Sequence, residues 1–182
     1  MARRRSRLPR NLLLLGLAAA AGWSAWRFAP QWLGAERAPR PQVQACRLAP
    51  ERLLAERIGR VAVESQVLAP APGIPAASAC AWVFFGGRAE ARLFTPQSLR
   101  AGGIALDIPA YFASIATGLE YEFKTTPEPL AGLGDAALVA GADGGGPPQV
   151  VLRQGDRVLA VAFEGIDPGS AVAFARTLAE GL

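Results

Sequence analysis

A chain of 182 residues with 51% hydrophobic and 19% charged positions is long enough for one packed domain with short extensions. It is too apolar to be wholly disordered. It has no histidine, one lysine (Lys124) and two cysteines, which excludes histidine-based triads and the usual histidine zinc sites. The net charge of +4 is concentrated at the start, where Arg3, Arg4, Arg5, Arg7 and Arg10 precede the first acid, Glu36. From Pro41 onward 11 basic residues stand against 14 acidic ones, so no basic stripe remains for phosphates and no nucleic-acid partner is expected.

Residues 12–26, LLLLGLAAAAGWSAW, carry no charge. As a helix the run spans about 22 Å, short of the roughly 30 Å hydrocarbon core of a bilayer. Arg10 and Arg27 can snorkel outward, and Trp23 and Trp26 suit the interface, so a retained anchor is one reading. The other is a cleaved signal peptide, with a basic n-region, a Leu/Ala h-region and the small residues Ala20 and Gly22 at cleavage-like spacing. In both, residues 1–26 deliver the rest of the chain to the outer, periplasmic side of a bacterial cytoplasmic membrane, tethered there or secreted after cleavage. Arg4-Arg5 makes a poor twin-arginine signal because Arg7 stands where an apolar residue is expected. Residues 27–45 contain three prolines and no period, as a semi-extended linker does. Val43-Gln44-Ala45-Cys46 has the outline of a lipoprotein cleavage site, but Gln44 does not suit it, and Cys46 lies some twenty residues beyond the apolar block.

From Cys46 the pattern is that of a folded domain, 46–182. Residues 50–58 predict a short helix with Leu53, Leu54 and Ile58 inward, ended by Gly59. Residues 60–68 alternate as a half-buried strand with Val61, Val63 and Val67 inward, and 70–77 is a proline-rich loop. Residues 79–85 form the most β-prone run. It places Cys80, Trp82 and Phe84 on one face and turns at Gly86-Gly87 into a strand over 88–95. Residues 96–103 read as irregular, 109–117 as a helix closed by Gly118, and 120–124 as a further strand. Residues 136–140 form a short strand, and 149–153 with 157–163 a hairpin about Gln154-Gly155-Asp156. Asp167-Pro168 opens a terminal helix with Val172, Phe174, Ala175 and Leu178 at helical spacing. The expected fold is α+β: an antiparallel sheet flanked by short helices, preceded by the apolar signal or anchor helix.

Two cysteines in an exported chain point to a Cys46–Cys80 disulfide; two buried thiols or an acylated Cys46 are the alternatives. Gly132-Leu133-Gly134-Asp135-Ala136-Ala137 spells a dinucleotide fingerprint, but Pro127 and Pro129 before it and residues 141–148 after it deny the strand and helix it needs. It reads instead as a tight turn in which Asp135 caps its own backbone. Asp143 beside Gly144, Gly145 and Gly146 is a hairpin loop, since one carboxylate cannot hold calcium. Lys124 has no serine beside it for a dyad, and Glu120 and Glu122 share one strand face as solvated charges. Trp82, Phe84, Phe94, Phe112 and Phe163 form core, with a ligand pocket as the alternative. No cofactor, metal or catalytic residue is indicated.

The order of Cys46, helix, strand, Cys80-Ala81-Trp82, hairpin and helix continues into Gly132-Leu133-Gly134-Asp135 and then Gly155-Asp156-Arg157 before the terminal helix. Over residues 46–182 this resembles an uncharacterised exported lipoprotein domain family of actinobacteria with PsbP-like architecture. The resemblance implies an antiparallel sheet flanked by helices and no particular activity. The expected function is a non-catalytic binding or accessory module on the outer side of the membrane. Its expected partners are that membrane, through the N-terminus, and an envelope protein or small apolar ligand. A histidine-free hydrolase using an acid pair is the alternative.

Overall fold

The structure, a computed structural model, describes residues 44–69, 71–141 and 146–182. The signal or anchor segment, nearly all of the linker, and the loop holding Asp143, Gly144 and Gly145 lie outside the described residues. No helix among the described residues is long and apolar enough to cross a membrane.

Among the described residues seven strands form one antiparallel sheet. They are β1 (Val63–Leu68), β2 (Ser78–Phe84), β3 (Gly87–Phe94), β4 (Glu128–Pro129), β5 (Ala136–Ala140), β6 (Gln149–Gln154) and β7 (Arg157–Glu164). Their order across the sheet is β1-β2-β3-β7-β6-β5-β4. The helices are α1 (Glu51–Arg57), α2 (Pro96–Ala101), α3 (Ile108–Phe123) and α4 (Pro168–Ala179), with a 3-10 turn at Ala45–Arg47. The expected α+β class, an antiparallel sheet with a few short helices, is what the domain shows.

Strand alternation divides the apolar side chains between two cores. On one face Cys80, Trp82, Phe84, Ala91, Leu93, Leu159, Val161, Phe163, Val150 and Leu152 pack with Leu54 of α1 and with Phe174, Ala175 and Leu178 of α4. Phe174 is fully buried and meets Trp82 and Phe163 edge to face, with ring centroids 5.5 and 5.6 Å apart. On the other face Phe94, Val151, Val158 and Ala140 pack with Leu99 of α2 and Ile108 and Leu119 of α3. The aromatic set expected as one core is thus split, with Phe94 and Phe112 on the opposite side of the sheet from Trp82, Phe84 and Phe163.

Several local expectations are corrected. Residues 96–101 are helical because Thr95 and Ser98 form a reciprocal capping box, each side chain bonding the other's backbone amide, ahead of Pro96. The helix expected over 109–117 continues through Gly118 to Phe123 and absorbs the strand expected at 120–124. Asp107 caps its start through the Ala110 amide, and Lys124, at φ 59°, ends it in the left-handed region. Gly118 is exposed there, so its weak helix propensity is outweighed by packing of Ile108 and Leu119 on the turns around it. In α1, Pro50 is the N-cap rather than the first helical residue, the buried positions are Leu54 and Ala55, and the buried Ile58 is the C-cap. In the first strand only Val63 is buried. Val61 lies before the strand, and Val67 is 72% exposed because β1 is an outer strand.

Candidate functional site: the open half of the sheet and its outer strand

Helix α3 packs on β5, β6 and β7. The same face over β1, β2 and β3 presents Glu64, Val83 and Arg88 to solvent, with Ala162 of β7 at its margin. Along β3, Glu90 is bracketed by Arg88 at 3.4 Å and Arg92 at 2.7 Å. Ala81 of β2 and Ala162 of β7 stand opposite Glu90 in the ladder, so small side chains flank the charged row on both sides. The result is a shallow, polar-centred surface between the outer strand and α3. Tyr111 of α3 stands at its inner limit, where burial raises the phenol above its ordinary value and the charge of Arg92 partly opposes that rise.

The expected disulfide is present. Cys46 and Cys80 are bonded, with Cα atoms 5.1 Å apart, which ties the 3-10 turn to the middle of β2. Cys80 is fully buried and Cys46 partly exposed. Beside it a cleft of about 220 Å³ is lined by Ala45, Cys46, Val67, Leu68 and Ala79, with Gln44 at its rim. A second shallow groove of about 280 Å³ runs between Arg57 of α1 and Arg176 of α4, floored by Val172 and Ala173.

Hydrogen bonds at the outer strand come from α1. Glu51, in the first helical turn, accepts from the Ser65 amide at 2.7 Å and from the Ser65 hydroxyl at 2.5 Å. These bonds hold the Glu51 carboxyl below its ordinary value of 4.5. At the start of α4, Ser170 does the same to Asp167, chiefly by hydrogen bonding. Because the folded values are depressed, both contributions are complete above the ordinary carboxyl values and are lost as the pH falls through the folded ones. The Ser65 amide resonance, followed by NMR on acidification, is expected to titrate with a midpoint below 4.5. A midpoint at or above it contradicts the pairing.

The glycine turns are built differently from the expectation. The β2–β3 turn is Phe85-Gly86, with Gly86 at φ 80°. Gly87 belongs to β3 opposite Phe84, where a Cβ would collide with the Phe84 ring and the Glu164 carbonyl. Gly132 (φ 69°) and Gly134 (φ 60°) form a turn, but Asp135 does not cap its own backbone. Its carboxylate accepts from the Gly155 amide at 2.8 Å and lies 3.5 Å from Arg153, so it clamps the β6–β7 turn at Gly155-Asp156.

The candidate catalytic groups are not brought together. Glu120 and Glu122 sit two apart on helix α3 rather than on a strand face, both exposed, accepting from Thr126 and from Gln149 respectively. Lys124 is exposed, with its Nζ 3.7 Å from the Tyr121 ring centroid. No carboxylate among the described residues is buried, and no group of three or more potential metal ligands is found among them. Sequence reasoning missed the Glu51–Ser65 contact. Its only trace was an acid in the first turn of a predicted helix, which equally serves the helix dipole.

Comparison of the chain with protein-family models, with curated proteins and with solved structures gave no match.

Proposed function

We propose that this chain is a non-catalytic binding or accessory domain displayed on the outer side of a bacterial cytoplasmic membrane, with residues 1–26 as its tether or export signal. The observation that carries the reading is the Cys46–Cys80 bond. Such bonds persist in oxidising compartments, and this one closes the point where the folded domain begins, directly after the proline-rich segment. The row of arginines before an uncharged 15-residue run supports the same orientation. The PsbP-like exported family that residues 46–182 resemble supports it as well.

The binding surface in this reading is the open half of the sheet over β1–β3, where Val83 is 48% exposed beside the Arg88-Glu90-Arg92 row. An envelope protein suits this broad, shallow, mixed surface better than a small apolar ligand does, because small ligands are held in enclosed pockets.

A reporter active only outside the cytoplasm, fused behind Leu182, tests the placement. Activity is expected, with Cys46 and Cys80 resistant to alkylation in intact cells until a reductant is added. A cytosolic reporter with both thiols freely alkylated overturns it. A photo-crosslinking residue at Val83 is expected to capture a defined membrane-fraction partner that the same residue at Tyr121, on α3, does not.

A further inference from the structure

We infer that β1 is a self-pairing edge: a second copy of this chain adds to it antiparallel, about a two-fold axis through Ser65, and Glu51 is the latch that holds the edge shut. The inference goes beyond the binding role proposed above and does not depend on it.

Among the described residues the sheet has two outer strands of very different character. β4 is two residues long and includes Pro129, which has no amide to offer, so this edge is closed by shortness and proline. β1 has six residues, pairs with β2 along its whole length, and contains neither proline nor lysine. In an antiparallel ladder the N–H and C=O of one residue point to the same side, alternating along the strand. The Ser65 amide is bonded to Glu51 of α1 rather than to β2, so Ser65 turns its backbone outward. Val63 and Val67, two positions away on either side, do the same.

The outward-turning stretch reads Val63-Glu64-Ser65-Gln66-Val67, which is nearly the same in both directions about Ser65. In a two-fold antiparallel arrangement centred there, Val63 stands opposite Val67 of the second copy, Glu64 opposite Gln66, and Ser65 opposite Ser65. Each class of side chain meets its match: aliphatic with aliphatic, carboxylate with amide donor, hydroxyl with hydroxyl. No like charges face each other, and cross-strand pairs of these kinds favour association. Shifting the register by two residues puts Glu64 against Leu68 and Ser65 against Val67, which loses the match. Val67, 72% exposed in the single chain, gains Val63 of the second copy as an apolar neighbour in the matched register.

Glu51 explains how the single chain tolerates such an edge. Its carboxylate occupies the Ser65 amide and hydroxyl at the centre of the would-be two-fold, and it must leave before the second strand can bond there. An exposed charge placed on an edge strand is a known way of blocking edge-to-edge association.

The test uses the full chain in membranes or detergent, with cysteine introduced as Ser65→Cys. The hydrogen-bonded pair at the two-fold has Cα atoms about 5.5 Å apart, within the span of a disulfide. A covalent dimer is expected under mild oxidation, with Cys46–Cys80 intact by peptide mapping. Adding Glu51→Ala is expected to raise the yield severalfold. Gln66→Glu, which places two carboxylate pairs across the axis, is expected to lower it severalfold, and Glu64→Arg in that background to restore it. All four changed residues, Glu51, Glu64, Ser65 and Gln66, are exposed, so the comparison does not hinge on folding. Crosslinking no greater than that of Val83→Cys, or a yield indifferent to the 64 and 66 charges, overturns the proposal. Loss of the reporter's outer placement leaves this result untouched, which separates the two readings.

Discussion

Replacing Phe174 by alanine is expected to lower the stability of the domain by about 3 to 5 kcal/mol, the range found for emptying a fully buried aromatic site. Phe174 is the one side chain of α4 that touches both Trp82 and Phe163 edge to face, so its removal takes away apolar burial and two ring pairs together. The cavity cannot collapse easily. Its walls are the sheet on one side and the turns of α4 carrying Ala171, Ala175 and Leu178 on the other, all fully buried. Urea unfolding at an unchanged slope measures the loss. Phe112→Ala, on the opposite face and only partly buried, is expected to cost less than half as much. Equal effects, or a Phe174→Ala loss below about 1 kcal/mol, contradict the two-core description.

Removal of the disulfide by Cys46→Ala with Cys80→Ala is expected to cost about 3 to 4 kcal/mol, from closing a loop across a sequence separation of 34. For a domain of this size the thermal midpoint should fall by roughly 10 °C or more. The physical basis lies mostly in the unfolded chain, which gains freedom once residues 46 and 80 are no longer tied. The folded form changes little, because Cys80 stays enclosed by the core and Ala45 keeps its amide bond to the Ser78 hydroxyl at 3.0 Å. Calorimetry of the double variant beside the reduced wild type checks this. The two should agree, and a midpoint within about 2 °C of the oxidised protein refutes it.

Features carried by neighbouring residues were legible before any coordinates. Asp167-Pro168 opens α4 as expected, because an Asx cap and a proline in the first turn act within four residues. Cys80, Trp82 and Phe84 share a face because strand alternation has a period of two. The hairpin of β6 and β7 comes from two β-prone runs joined at Gly155-Asp156. The Cys46–Cys80 pair followed from a count of two cysteines in a chain expected, from its N-terminus, to be exported.

What stayed hidden depends on contacts distant in sequence. Gly118 looks like a helix end on local propensity, and only burial of Leu119 against the sheet carries α3 past it to Lys124. Asp135 looks like a self-capping turn residue, and its partner Gly155 lies 20 positions away. Val61 and Val67 carry the alternation of a half-buried strand, yet the strand order leaves β1 outermost, with no neighbour beyond it among the described residues. Charge distribution, cysteine count and short-range pattern were therefore properties of the chain alone. Which strand became an edge, which half of the sheet stayed open, and that Glu51 would reach Ser65 were settled by tertiary packing, because strand neighbours and helix placement minimise exposed apolar area over the whole domain rather than over any local window.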